Sequence, residues 1–384
     1  MDIRDLTADD LDAVLDLRKR AFGPLSASNV ATFRKMAQPT LDAGRYIGVD
    51  DGGRLAAAAR LRPFTQWWHG RPQPMSGVAG VTVSPEDRGR GLGRLLMHAV
   101  IERAAALGDA VSALFPATTP IYRSVGYEHA GAQHITTLPA EALRTIRPAK
   151  DVKIRRMGPD DAPAVMSLLH RVHAAARASG PISYGEDIWR LWLADEDDFL
   201  YLADDGFVIY RWDGHDIEVD TLVAGSADTA RALWSLVGTS SSVAEKVKAV
   251  VAPGDPVLWL LRERSNDEVR QHRWMFRVID LEDAVTRRGY PAVVSGEAVV
   301  RVEDPVRSGN TGVWRLEFTG GSGAATRVAE ADDAPVLSVN AFSALYAGVP
   351  TATLRRSGLL TGGERYDEVL DAVFGARPYM LDDF

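Results

Sequence analysis

The sequence predicts a mixed α/β (α+β) protein of three domains, on three observations. The chain has 384 residues, more than one hydrophobic core usually serves. A strand–turn–helix–strand order occupies the centre of its first part. Residues 3–20 (IRDLTADDLDAVLDLRKR) also align without gaps on residues 154–171 (IRRMGPDDAPAVMSLLHR). The pairs Ile3/Ile154, Arg4/Arg155, Asp9/Asp160, Asp10/Asp161, Val14/Val165 and Leu17/Leu168 all match at an offset of 151. Each copy reads as a short strand, an Asp-rich helix start and an amphipathic helix. Two opening units of one fold give this pattern; so does a chance likeness between two acid-capped helices.

In the first copy, 46–49 and 55–61 are strand-like runs joined by Asp50-Asp51-Gly52-Gly53, a hairpin signal because Asp and Gly accept the positive φ of tight turns. Residues 77–83 form the next strand and run into a glycine-rich turn. An alanine- and leucine-rich helix at 95–107 follows, stopped by Gly108, and then a strand at 110–115. In the second copy, a strand at 217–223 passes through Ala224-Gly225-Ser226 almost directly into a helix. Residues 257–261 and 275–279 read as strands. Beyond them the character changes, to a helix at 281–288, strands near 293–302 and 312–318, turns at 305–310 and 320–323, and two later helices. The domains are accordingly 1–148, 149–274 and 275–384.

Composition removes several function classes. There is no cysteine, so disulfides, thiolate metal sites and a cysteine nucleophile are excluded. The formal charge of −8 argues against a nucleic-acid partner held by phosphate contacts and favours cationic ones. The first residues lack a signal-peptide layout, and no stretch approaches about 18 apolar residues. A cytoplasmic protein with no membrane partner is expected.

The central motif is Val81-Thr82-Val83-Ser84-Pro85-Glu86-Asp87-Arg88-Gly89-Arg90-Gly91-Leu92-Gly93, set between a strand and a helix. Its glycines permit positive φ and leave the backbone bare, so N–H groups can converge on an anion at the positive end of the helix. Arg88, Arg90 and Arg94 add countercharge. A Walker A loop would end in Gly-Lys-Ser/Thr, whereas Gly93 is followed by Arg94-Leu95. A dinucleotide site would show Gly-x-Gly-x-x-Gly and a carboxylate after the next strand, which here ends Leu114-Phe115-Pro116. Coenzyme A is the remaining pyrophosphate ligand; a plain turn with solvated arginines is the alternative.

Arg88-Gly89-Arg90-Gly91-Leu92-Gly93 resembles the acyl-CoA loop of the GCN5-related N-acetyltransferase (GNAT) superfamily, Arg/Gln-x-x-Gly-x-Gly/Ala. The resemblance implies acetyl-CoA as co-substrate, with Val81 and Val83 offering backbone groups to its pantetheine arm and residues 88–93 holding its pyrophosphate. Over essentially the whole chain the plan is similar to the enhanced intracellular survival (Eis) family. That implies a catalytic GNAT domain, a degenerate second GNAT domain without a CoA site, and a sterol-carrier-like third domain. A hexamer is implied as well.

Direct transfer of an acetyl group from a thioester to an amine requires a neutral amine and releases a thiolate that benefits from a proton. No enzyme nucleophile and no metal are needed. Ile121-Tyr122-Arg123-Ser124-Val125-Gly126-Tyr127 resembles the family segment Ile-Tyr-x-x-x-Gly-Tyr, whose first tyrosine protonates the departing sulfur; Tyr122 takes that role and Tyr127 packs. In the Eis family the chain terminus enters the active site. Here the terminus is Asp382-Asp383-Phe384, and the resemblance gives the Phe384 carboxylate the task of deprotonating the amine or of orienting an ammonium group. A frayed acidic tail is the alternative.

Phe22, Phe33 and Asp383 are the candidates for acceptor binding, the acceptor being a primary amine of a cationic small molecule, aminoglycoside-like, or of a lysine side chain. The family's acidic residue after the first helix is not matched, since Gly23-Pro24-Leu25 stand there. Trp67 and Trp68 form an aromatic wall, an exposed hairpin pair or a subunit contact. His170 and His173 read as a solvated helix face, and Asp195-Glu196-Asp197-Asp198 as a solvated loop. A non-catalytic protein that binds acyl-CoA or an apolar ligand is the alternative function.

Overall fold

The computed structural model describes residues 1–384 except 149–150, 263–268 and 331–332. The first unit contains β1 (Asp2–Asp5), α1 (Leu11–Phe22), α2 (Ala27–Asp42), β2 (Tyr46–Asp50), β3 (Leu55–Trp68) and β4 (Arg71–Val83). It continues through α3 (Leu92–Ala106), β5 (Val111–Leu114), α4 (Thr119–Arg123), β6 (Glu128–Pro139) and α5 (Ala140–Arg144). The second contains β7 (Arg155–Arg156), α6 (Ala162–Ala175), β8 (Ile182–Ser183), α7 (Glu186–Trp192), β9 (Phe199–Ala203) and β10 (Gly206–Asp213). After these come β11 (Asp216–Ala224), α8 (Ala227–Gly238), β12 (Lys246–Val251), α9 (Val257–Leu260) and β13 (Val269–Val278).

The repeat seen in sequence is a repeated clasp. Arg4 donates to the Asp10 carboxylate at 2.9 and 2.7 Å, and Arg155 to that of Asp161 at 3.0 and 2.6 Å. Each aspartate also accepts a backbone N–H, from Thr7 at 2.8 Å and from Gly158 at 2.9 Å. The clasp ties a first strand to the start of a first helix, and the Arg4 guanidinium holds Asp10 down to about 2.

The two units share one 13-stranded sheet of order β1-β2-β3-β4-β5-β13-β6-β12-β11-β10-β9-β7, with β8 joined to β3. The strand exchange in its middle is not visible in sequence. β13, made last, lies antiparallel between β5 and β6, while β6 pairs on its other side with β12. Each unit thus lends its final strand to the other. Trp274, Met275, Phe276 and Arg277 are fully buried, as suits a central strand covered on both faces. Residue 275, the expected start of the third domain, falls inside β13 and therefore inside this sheet. The other expected boundary, at 149, lies outside the described residues.

The third unit comprises α10 (Leu281–Arg287), β14 (Gly296–Glu303), β15 (Gly312–Thr319), β16 (Ser322–Val328), β17 (Val336–Ser338), α11 (Val339–Tyr346), α12 (Thr351–Arg356), β18 (Leu360–Thr361) and α13 (Asp367–Phe374). Its five strands run in the order β16-β15-β14-β17-β18. A buried ion pair joins it to β13, and the same arginine reaches the first unit. Arg277 and Asp304 have 0% side-chain exposure; Arg277 Nη2 donates to both Asp304 oxygens (2.9 and 3.0 Å) and its Nε to Val125 O (2.8 Å).

Several expectations are corrected. The run 257–261 is not a strand: Val257–Leu260 form helix α9. The short apolar run is ambiguous between periods, and Asp255 settles it by accepting the Val257 N–H at 2.9 Å. There are three later helices, α11 to α13, instead of two. Trp67 and Trp68 are 2% and 0% exposed, so neither is a surface pair or subunit contact; Trp68 packs on Phe276 and Tyr346 at 5.1 Å each. His173 is buried 5.0 Å from the Trp67 ring, not solvated, and burial pulls its pKa down to about 4.

Candidate active site

β4 and β5 pair in parallel only where Met75, Ser76 and Gly77 meet Val111, Ser112 and Ala113. β4 then continues to Val83 while β5 ends at Leu114, so the two strands part. Along 78–83 the β5-facing edge of β4 has no partner strand among the described residues. Gly80 at φ +61° sits in a bulge against β3 and turns the edge locally. Val81 and Val83 therefore hold free backbone groups on an open edge.

The glycine turn continues this edge. Gly89 and Gly91 both have φ +82°, a conformation that side chains rarely adopt, and Gly91 caps α3. The first helical bond is donated by Leu95 to Gly91 O at 3.1 Å. The N–H groups of Leu92, Gly93 and Arg94 precede it and are the orphan donors of a helix start. A Cβ on Gly93 would lie 2.7 Å from Ile121 Cδ1, the tip of a side chain that would have to turn aside. Leu92 is buried and contributes its backbone only. Arg90 braces the turn, reaching Asp51 at 2.7 Å and Asp87 at 2.5 Å, and Arg54 holds Asp87 at 2.6 Å. Arg88 and Arg94 are exposed and pair with no carboxylate of the described residues. The residues present fit a pyrophosphate.

Tyr122 lies in α4, 7% exposed, and its hydroxyl makes no hydrogen bond among the described residues. Burial raises its pKa, so the phenol is protonated at neutral pH. Tyr127 is fully buried and its hydroxyl shares a 2.8 Å hydrogen bond with Ser112 Oγ, which makes it a packing residue.

The C-terminal tail threads between the first two units. Tyr379 bridges Ala132 of β6, Tyr379 N donates to Ser179 O (3.1 Å), and Gln133 Nε2 donates to Leu381 O (2.9 Å). Glycines make the passage possible: a Cβ on Gly131 would sit 2.4 Å from Pro378 O, and one on Gly180 2.5 Å from Tyr379 O. The Phe384 ring ends 4.7 Å from that of Phe64 and 5.6 Å from that of Phe115. It also lies over Gly77, where a Cβ would be 2.8 Å from it. Phe384 thus reaches the point where β4 and β5 part.

Beside the tail lies a cleft of about 770 Å³, bounded by α2, β6, β10, β11 and β12. Eight carboxylates line it, those of residues 195–198, Glu218, Asp220, Asp382 and Asp383, against Lys35, Arg211 and Lys248. The loop 195–198 is therefore a wall of the cleft and not merely a solvated turn. Arg211 binds Asp198 at 3.0 Å and also Asp220. Burial pushes Asp198 up to about 6 and raises Asp220. Asp382 is pushed up to about 7, first by burial and then by the charges of Asp383 and Asp220.

Of the residues expected to bind the acceptor, Asp383 lines this cleft, whereas Phe22 and Phe33 do not. Phe22 is 53% exposed, and Phe33 lies under the Arg60 guanidinium. Sequence reasoning missed Arg60, Arg62 and Asp220, and it named Asp382 only as part of the tail. The signal available for the first two was their alternation in the otherwise apolar run Ala56–Phe64. Among the described residues no group of three or more His, Asp or Glu side chains is placed to hold a metal, and no helix is long and apolar enough to cross a membrane.

Comparison with known proteins identifies the domains that carry this site. Residues 2–130 and 180–278 each match an acetyltransferase (GNAT) domain, and 281–381 a sterol carrier protein domain. A GCN5-related N-acetyltransferase from Kribbella flavida superposes with a TM-score of 0.96 at 43% identity, covering 100% of this chain and 98% of that one. The N-acetyltransferase Eis of Mycobacterium tuberculosis is 29% identical over 238 residues, 56% of this chain; the match spans only 58% of the Eis length. Eis1 from Mycobacterium abscessus shares the fold over all of both chains at a TM-score of 0.78 and 22% identity. Two acetyltransferase domains on one sheet, with a carrier-type domain closing over them, define the class. The chain belongs to the GCN5-related N-acetyltransferase family, in the Eis-type arrangement.

Proposed function

We propose that the protein transfers an acetyl group from acetyl-CoA directly to a primary amine of a cationic small molecule or lysine side chain. The observation that carries this reading is the open edge of β4 running from Val81 into the Gly89–Gly91 turn, with the Phe384 terminus at its other end. Bound there, the co-substrate supplies an activated acyl carbon and a thiol leaving group. Backbone groups of Val81 and Val83 orient its arm, and the donors at 92–94 with Arg88 and Arg94 hold its pyrophosphate. Tyr122 gives its phenolic proton to the sulfur as the C–S bond breaks. The amine forms the new C–N bond and loses its own proton toward the Phe384 carboxylate. The eight carboxylates of the cleft draw in and orient the cationic acceptor. A hexamer belongs to the same reading and is measured by analytical ultracentrifugation.

The test is release of free thiol from acetyl-CoA in the presence of a polyamine, an aminoglycoside and a lysine derivative, each confirmed by mass spectrometry of the acetylated product. Thiol release that no amine accelerates would mean hydrolysis by water in place of amine transfer, and no release at all would leave the binding-protein reading.

A further inference from the structure

Two arginines on β3 stand apart from the other buried guanidiniums of the described residues. Arg277 is neutralised by Asp304, and Arg288, 1% exposed, donates to the carbonyl oxygens of Tyr346 and Phe374 beneath four aromatic rings. Arg60 and Arg62 are each 9% exposed, yet neither forms an ion pair among the described residues, and the polar group that Arg62 does meet is the neutral, buried Tyr184 hydroxyl. Nη1 of Arg60 and Nη2 of Arg62 are sealed from solvent and unpartnered. Aromatic rings cover their faces, Phe33 for Arg60 (5.6 Å) and Phe64 and Tyr184 for Arg62 (5.2 and 5.3 Å). A ring satisfies the face of a guanidinium but leaves its in-plane N–H donors unused.

An unpaired buried charge is expensive and needs a reason. The residues are i and i+2 on one strand, so both point from the same face, the one that carries Phe64. Across the ladder they meet Ala79 and Gly77, which offer neither a carboxylate nor bulk. Asp382 feels the charge of Arg62 but lies beyond ion-pairing distance. Burial and the like charge of Arg62 pull Arg60 down to about 10, so Arg60 remains a cation at neutral pH.

Their position selects the anion. Gly77 and Ala79 precede Val83, where the phosphate turn begins, by six and four residues, a separation of about 13 to 20 Å at ~3.3 Å per residue. The arginines therefore serve the acceptor end, beside Phe384, and not the pyrophosphate. We propose that Arg60 and Arg62 bind a carboxylate on the acceptor, which makes the acceptor an amino acid or peptide that presents both an amine and a carboxylate. This rests on the acetyl-transfer reading: the acidic cleft takes the amine end and the arginine pair the acid end.

The test compares Nα-acetyl-lysine with Nα-acetyl-lysinamide, which share the ε-amine and differ in the carboxylate. Wild-type protein should acetylate the acid with kcat/KM at least tenfold above the amide, and Arg60→Met or Arg62→Met should collapse that ratio toward one. Equal efficiency for the two in the wild type, or a preference that survives both substitutions, overturns the proposal. So does a KM effect confined to acetyl-CoA. Calorimetric binding of the same two ligands in the presence of CoA reads the ratio without turnover. An absence of turnover would therefore sink the acetyl-transfer reading alone, while the binding ratio still decides the arginine pair.

Discussion

The ring of Phe384 lies 4.7 Å from that of Phe64, which fixes the chain terminus where β4 and β5 separate. Aromatic pairs of this kind contribute about 0.5–1.5 kcal/mol beyond their buried area, enough to hold a tail in place but not to fold it. Deleting Phe384 moves the terminal carboxylate back one residue, by about 3.5 Å. In steady-state kinetics, kcat should fall about 100-fold while KM for acetyl-CoA changes less than twofold. An unchanged kcat would make the tail a bystander.

Gly131→Ala tests the same tail from a position away from the chemistry. The added methyl meets Pro378 O at 2.4 Å and the buried Trp274 ring at 2.6 Å, so it must displace the tail backbone. A loss of kcat of at least about tenfold is expected, with limited proteolysis cutting the last residues faster than in the wild type.

Tyr122→Phe removes a hydroxyl that has no hydrogen-bond partner among the described residues, so no buried group there is orphaned and the melting temperature should stay within about 2 °C. A general acid of this kind is worth about 100- to 10,000-fold. That loss should appear in kcat, with binding of acetyl-CoA by calorimetry intact.

Arg277→Met leaves the Asp304 carboxylate buried at 0% exposure without its cation. Urea unfolding should show a loss of about 3–5 kcal/mol, and adding Asp304→Leu should recover part of it. A loss below about 1 kcal/mol would mean that Asp304 is held adequately by its bonds from Asn310 Nδ2 at 2.9 Å and from the Val306 and Arg307 N–H groups at 3.0 Å each.

Asp382 links tail docking to pH. Its folded pKa of about 7 lies above the usual carboxylate value, so the folded protein holds a proton that the unfolded chain has lost. This contribution to stability is full below about pH 4 and disappears as pH rises through about 7. Asp198, at about 6, titrates in the same window, so the readout is a difference. The melting temperature of Asp382→Asn minus that of the wild type should grow from pH 5 to pH 8; a constant difference would place the Asp382 carboxylate in a solvated setting.

Local chemistry was legible from the sequence, and long-range pairing was not. Gly52 and Gly53 adopt positive φ in the hairpin, Gly89 and Gly91 do so in the turn, and the repeat proves to be the Arg4–Asp10 and Arg155–Asp161 clasp. Each of these depends on residues within six positions of one another. The exchange of β6 and β13 depends on residues far apart, and a strand such as 269–278 has the same composition whichever sheet edge receives it. The cleft was hidden for a similar reason: residues 195–198 become a wall only because β10, β11 and the tail close around them. Arg60 and Arg62 were visible as an alternation, but only burial shows that they lack partners.

The exchanged strands also carry a consequence for synthesis. β5 is made early, yet the strand that covers its edge ends at Val278, after everything from α5 to α9 has been produced. While the ribosome works through that stretch, the nascent chain displays a bare, apolar strand edge of the kind that invites mispairing. The acetyltransferase half that holds the glycine turn therefore cannot mature first and wait; both halves complete together when β13 slides in. A gene truncated before that strand would encode neither half in working form.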